Sequence, residues 1–308
     1  MMPMSKTTLI TSRDPKGTCL LDLVAAAINK AGLDDDGAQR VIENGGEFQA
    51  GVRKLLAGLS VSNRYAEEEV RSTWIYPPEY GGPAPIGEQV ATIAALLSLP
   101  LEATMAFVER GLPKLTLPDL AEGWFAIPTV EAIAAKHFPN VKDPGERYCR
   151  ALNLLIEKLA KTRALYNYRE GELTPDRLTR TARTIEALTA ITGEQKAAIV
   201  IIPAQFGLRH RGRSTRRSRE VFRSDEFGLG GLEVGSMAAT HSKRFVRWEQ
   251  LHTDCPGDDF ASEPGADPDS APVWRFYDGR LEFSADGVDD ANEYYGSASG
   301  FRVPVPSE

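Results

Sequence analysis

KAAIVIIPAQFGLRHRGRSTRRSREVFR, residues 196–223, sets an apolar run, a glycine-broken loop and a dense cluster of arginines one after another. Residues 197–202 are continuously apolar, with Ile199, Val200 and Ile201 in a row. A run this short and this β-branched predicts a strand buried on both faces, since a buried helix needs about twice the length. Pro203 is expected to end it. Gly207 and Gly212 then break the loop, and Ser214 or Thr215 is placed to cap a helix whose first apolar residues are Val221 and Phe222. The order is strand, loop, helix.

The charge in this stretch points to a function. A helix N-terminus presents unpaired N–H groups and the positive end of a dipole, which favours an anion there. Arg209, His210, Arg211, Arg213 and Ser214 would surround such an anion, with Arg216 and Arg217 following on the helix. Guanidinium forks match phosphate oxygens. The expected ligand is a phosphorylated small molecule or a polyanion such as nucleic acid. Against this stands the structural alternative: a charge run is commonly a solvated face, or is neutralised inside the fold by carboxylates. No Gly-Lys-Ser/Thr closes the loop, so a Walker-type nucleoside triphosphatase is not indicated.

Composition narrows the class. The 308 residues carry a formal charge of −7, with 42% hydrophobic and 26% charged residues, as in an ordinary globular protein. An acidic balance argues against sequence-independent coating of nucleic acid and leaves room for a local basic patch. Cys19, Cys149 and Cys255 are too few and too scattered for a disulfide framework, which suggests a reducing compartment. Residues 1–17 have no apolar h-region, and no apolar stretch is long enough to span a bilayer. The expectation is a cytoplasmic protein without a membrane anchor.

Read in order, the chain is helical to about residue 192 and mixed beyond it. Apolar spacing predicts helices over 18–31, with its apolar side facing the core, over 37–59 in two pieces bent at Gly45 and Gly46, and over 86–97 and 101–110. Residues 72–85 and 112–128 read as loops. Trp74, Tyr76 and Tyr80 in the first of these are expected to staple it to the core. Further helices are expected from Pro128, over 144–165, and from a cap at Thr174 with Pro175 behind it; the last two are expected to be antiparallel neighbours across a short turn. A helix is favoured from about Gly230. VWRFYDGRLEF, residues 273–283, reads as a hairpin: Asp278-Gly279 suits a type I′ turn, pairing Phe276 with Leu281, Trp274 with Phe283, and Arg275 with Glu282 on a solvated face. The fold class is therefore α+β, with a helical region at 1–192 and a mixed region with a small sheet and a C-terminal hairpin at 193–308.

Two further constellations stand in the C-terminal part. His241, His252, Asp254 and Asp258 are competent ligands for a divalent metal, with Cys255 and His210 nearby in sequence, though their spacing fits no standard zinc pattern. They suggest, as a second function, a metal-dependent hydrolase or nuclease. Residues 254–293 are strongly acidic and suited to neutralise the arginines. That would make the protein an interaction module without a catalytic site.

EGWFAIP (122–128), YNYREG (166–171), IPAQFGLRHRGRS (202–214), EFGLG (226–230) and HTDCPGDDF (252–260) resemble a set of uncharacterised bacterial proteins from small genomes. The resemblance covers most of the chain. It implies no activity and assigns no catalytic residue, but it groups these stretches as parts of one site.

Overall fold

The computed structural model describes residues 11–59 and 62–303. Residues 1–10, on which part of the leader reading rests, lie outside them. The chain forms two compact units, Met1–Val61 and Ser62–Glu308. The division falls near residue 61 and not near residue 192, because strands from both sides of residue 192 share each sheet of the second unit.

The first unit consists of α1 (Pro15–Lys30), α2 (Asp35–Glu43) and α3 (Gly45–Leu59). Asp34 caps α2 by accepting from the Gly37 N–H at 2.7 Å. The break between α2 and α3 falls at Asn44, next to the glycine pair that suggested it. The apolar spacing of α1 does give a helix, but not a core: Leu21, Leu23 and Ile28 are each more than half exposed.

The second unit opens with α4 (Ile86–Leu97), α5 (Glu102–Arg110) and a 3-10 turn at Leu112–Lys114. Next come β1 (Gly123–Pro128), α6 (Val130–His137), α7 (Pro144–Ala160), β2 (Leu165–Asn167), β3 (Leu178–Arg180) and α8 (Ala182–Gln195). The central stretch supplies β4 (Ile199–Gln205), a 3-10 turn at Leu208–His210, and α9 (Thr215–Glu220). The chain closes with β5 (Glu226–Gly228), α10 (Gly231–Thr240), a 3-10 turn at Ser242–Arg244, β6 (His252–Asp254), β7 (Asp258–Phe260), β8 (Ser270–Tyr277), β9 (Arg280–Gly287), β10 (Tyr295–Ser297) and β11 (Ser299–Phe301).

β4 is the buried strand its sequence predicts, with all seven residues inside, but it does not end at Pro203: the ladder with β1 and β11 carries it on to Gln205. It is central in an antiparallel four-stranded sheet, β1-β4-β11-β5. β1 was expected to be loop. Its WFAI core becomes a strand because β4 offers a continuous partner, from Gly123 opposite Ala204 to Pro128 opposite Ile199. The second sheet has seven strands: β10 lies parallel on β6, β6 and β7 share one edge of β8, β3 pairs with β7, and β9 and β2 continue from the other edge of β8. β10 and β11 are separated only by Ala298, so this segment stitches the two sheets together. The backbone there is close-packed. At Gly207, φ is +132° and an added Cβ would stand 2.4 Å from the Gly296 carbonyl oxygen, which only glycine tolerates.

The hairpin forms with the expected pairs, Phe276–Leu281, Trp274–Phe283 and Arg275–Glu282. Its second face is not solvated. Tyr168, just after β2, folds over it, and Glu282 is wholly buried between Arg275 and Arg280. The Thr174-Pro175 pair starts one turn, closed by the Leu178 N–H on the Thr174 carbonyl at 2.8 Å, after which the chain enters β3. The helix begins later, at Ala182. The core gathers Ile93, Phe125, Leu155, Phe206, Trp274 and Phe283, all without exposure. Among the described residues, no helix is long and apolar enough to cross a membrane.

Candidate functional site

The arginine loop leaves β4 at the sheet junction and is held by the protein's own acceptors. Arg209 places Nε 3.0 Å from Glu226 Oε1. His210 Nε2 donates to the same oxygen at 2.7 Å, while its Nδ1 accepts from Arg213 Nη1 at 3.1 Å. An acceptor at Nδ1 requires a neutral imidazole, in keeping with the burial that lowers the His210 pKa. Burial alone would raise the Glu226 pKa. Hydrogen bonds from His210, Arg209 and Ser299 outweigh it and bring the pKa down to about 2.

The α9 N-terminus is occupied as well. Ser214 caps it by accepting from the Arg217 N–H at 3.1 Å, and the same hydroxyl donates to Glu68 at 2.6 Å. Arg216 Nε sits 2.9 Å from both Glu68 oxygens, and its guanidinium also faces Asp289 at 3.8 Å. Arg213 and Arg217 share Glu69, and Arg211 donates to the Trp74 carbonyl at 2.9 Å. Arg219 meets Asp259 at 2.7 Å. The acidic C-terminal segment thus contributes Asp259 and Asp289, Glu226 holds Arg209, and the dipeptide Glu68-Glu69 holds Arg213, Arg216 and Arg217.

His241, His252, Asp254 and Asp258 fall in separate surroundings. His241 Nε2 accepts from the Ala84 N–H at 2.8 Å and Nδ1 donates to the Met237 carbonyl at 2.9 Å, among Tyr80, Phe125 and Phe206. His252 stacks between Trp248 and Tyr295 with neither nitrogen partnered, and burial, helped by Arg244 and Arg275, lowers its pKa to about 3. Asp254 is buried two residues further along β6, its pKa raised by burial and by Asp286 and Asp290. Asp258 belongs to a different cluster, described next. Among the described residues, no group of three or more His, Cys, Asp or Glu side chains stands where it could hold a metal ion.

Tyr148, the hydrogen-bond partner of Asp258, lines a pocket of 560 Å³ together with Arg180 and Glu233. The end of β1 and Thr129 form one wall, the first turns of α7 with Tyr148 a second, and β3 and α8 a third. Ile127, Leu178, Ile185, Leu188 and Val200 make the lining mainly apolar. Glu131, Arg180 and Glu233 bring charge into it, the last two joined as an ion pair whose Glu233 end is almost wholly buried. Glu233 also reaches back to the Gly230 N–H at 2.9 Å, closing the first turn of α10. Arg180 lies over the Tyr148 ring, 4.5 Å from its centre. Behind them Asp258 Oδ2 accepts from the Tyr148 hydroxyl and from the Gly231 N–H at 2.7 Å, leaving Oδ1 without a partner. Burial raises the Asp258 pKa to about 7 even though Arg180 pulls it down.

None of Tyr148, Arg180 and Glu233 was a candidate on sequence. One signal was present: Gly230 followed by Glu233 has the spacing of a capping box at the start of a helix. Arg180 lies behind the Thr174-Pro175 pair, which in sequence has the form of a helix start, whereas the chain there is the strand β3. Comparison of the chain with protein-family profiles, curated proteins and solved structures finds no match.

Proposed function

We propose that this protein binds a small, mainly apolar molecule carrying one hydrogen-bonding group, in the pocket between β1, α7, β3 and α8. The observation that carries this is the combination of a 560 Å³ apolar-walled pocket with a single ion pair, Arg180–Glu233, set into it. Ligand pockets commonly enclose about 300–1,000 Å³, lined by apolar groups with a few polar ones that fix orientation. The apolar walls take the ligand body. The Arg180 guanidinium and the Tyr148 phenol, both on the pocket wall, supply the polar contact.

The pocket is favoured over the arginine loop because the loop's guanidinium groups already face Glu68, Glu69, Glu226 and Asp289. An external phosphate would have to displace carboxylates held at full local concentration.

A matched pair of fluorescent probes tests this. N-phenyl-1-naphthylamine is neutral, and anilinonaphthalene sulfonate is the same ring system with an added anion. The neutral probe is expected to saturate one site with a blue shift, and Thr189→Trp, an exposed substitution on the pocket wall, is expected to abolish it. Non-saturable binding, or equal binding to the folded variant, would refute the proposal. The ratio of the two affinities reports whether Arg180 accepts an anionic group against the charge of Glu233.

A further inference from the structure

The pocket between β1, α7, β3 and α8 holds more negative than positive charge. Glu131, Arg180 and Glu233 are the charged residues of its lining, and Arg180 is the sole cation among the lining residues. That cation is engaged already: Glu233 pairs with it directly, and it lies 4.5 Å over the Tyr148 ring. Asp258, bonded to the Tyr148 hydroxyl, is within electrostatic reach of both members of the pair. Arg180 thus meets one carboxylate in contact and a second acidic group nearby. Glu131 is left with no cation of the pocket to balance it.

The two carboxylates stand at different depths. Glu131 is the second residue of α6, and Thr129 caps that helix by accepting from the Ala132 N–H at 3.2 Å, which fixes the turn carrying Glu131. Glu131 is solvent-exposed and also lines the pocket, so it stands at the mouth, whereas Glu233 is almost wholly buried and keeps the ion pair inside. A molecule whose apolar body rests on Ile127, Leu178, Leu188 and Val200 reaches Glu131 with its outer end. Charge is felt more strongly in an apolar-walled space than in water, and a cleft of one sign gathers ions of the other. An anion would have to pass Glu131 and lie beside Glu233 to reach Arg180. An ammonium need only stop at the mouth, where it keeps part of its hydration.

We propose that the ligand of this pocket is a cation: an apolar molecule that presents, besides the group received by Arg180 and Tyr148, an ammonium at its outer end against Glu131. This rests on the reading of the pocket as a binding site and adds the charge of what it binds. Glu131 is the residue that sets the preference for an amine over a neutral or anionic molecule of the same shape. A carboxylate in the first turn of a helix also suits the helix dipole. That role alone would produce no discrimination among ligands.

The test is displacement of N-phenyl-1-naphthylamine from the full-length chain at neutral pH by three competitors that share its naphthalene ring. These are 1-naphthylmethylamine, a cation, 1-naphthylmethanol, which is neutral, and 1-naphthoate, an anion. The amine is expected to displace the reporter at about tenfold lower concentration than the alcohol, and naphthoate to be the weakest of the three. Added sodium chloride should weaken the amine and leave the alcohol unchanged. Glu131→Gln, an exposed substitution that keeps the shape, should bring the amine down to the affinity of the alcohol and leave the alcohol as it was. If the reporter saturates but the amine is no tighter than the alcohol, or naphthoate is the tightest, the charge inference is overturned and the pocket remains a binding site. An amine preference that survives in folded Glu131→Gln also overturns it. The salt dependence decides the matter should that variant not fold. A reporter that never saturates removes the binding site and the inference together.

Discussion

The Glu226 carboxylate accepts from the His210 imidazole at 2.7 Å with both side chains wholly buried. Arg209 and Ser299 complete its coordination at 3.0 and 2.7 Å, so one ionised carboxylate ties the arginine loop to β5 and β11. Glu226→Gln keeps the shape and removes the charge, and is expected to lower stability by roughly 2–4 kcal/mol in urea unfolding at neutral pH. The folded pKa is depressed from 4.5 to about 2, so the contribution is fully present above pH 4.5 and is lost as pH falls towards 2. The stability difference between wild type and variant should shrink across that window. A difference that stays constant from pH 6 to pH 3 would show that Glu226 is not ionised as described.

Asp258 has the opposite sign. Its pKa is raised from 3.8 to about 7 by burial, so the folded state holds the proton more tightly than the unfolded chain. Its contribution is greatest below pH 3.8 and is lost as pH rises through about 7. Asp258→Asn imitates the protonated form and still accepts from Tyr148 and Gly231. The wild type is expected to lose stability relative to this variant steadily between pH 4 and pH 8. Parallel pH profiles for the two proteins would contradict the assignment.

These two carboxylates also show where sequence was informative. β4 and the β8–β9 hairpin were legible because each carries its own signal, a β-branched run in one and an Asp-Gly turn between alternating aromatics in the other. β1, β2 and β3 carry no such signal. Each becomes a strand only because a distant edge, on β4, β9 or β7, is there to pair with it. The arginine cluster was visible at once, but its partners Glu68 and Glu69 lie about 150 residues earlier in an unremarkable loop, and no local pattern links them. Arg180 and Glu233 escaped for the same reason: the pocket is assembled from β3 and α10, far apart in sequence.

The turn of the hairpin gives a prediction of defined size. Asp278 and Gly279 both have positive φ, 49° and 75°. A β-branched residue at the second position is forced into the left-handed region, so Gly279→Val should cost about 1–2 kcal/mol although nothing stands within 4 Å of the new Cβ. Asp278→Asn, which tolerates the same conformation, should be close to neutral. Chemical denaturation of both variants checks this, and a Gly279→Val protein as stable as wild type would mean the turn is not type I′.

Neutralisation of the arginine loop can be tested by undoing it. Glu68 and Glu69 together occupy Arg213, Arg216 and Arg217, and the hydrogen bonds from Arg216 hold the Glu68 pKa below its usual value. The double variant Glu68→Ala/Glu69→Ala removes two negative charges and leaves those guanidinium groups without their carboxylates. Part of each pair is solvent-exposed, so the loss of stability should be modest, roughly 1–2 kcal/mol for the two together. The larger effect should be on binding. In fluorescence anisotropy with a short labelled single-stranded DNA, the double variant is expected to bind at low salt and release as salt rises, while the wild type binds little at either. If the wild type binds as tightly as the variant, and Arg211→Ala/Arg213→Ala abolishes that binding in a folded protein, then the carboxylates do not occupy the loop in solution. The arginines would then be available to polyanions, as the charge run in the sequence suggests.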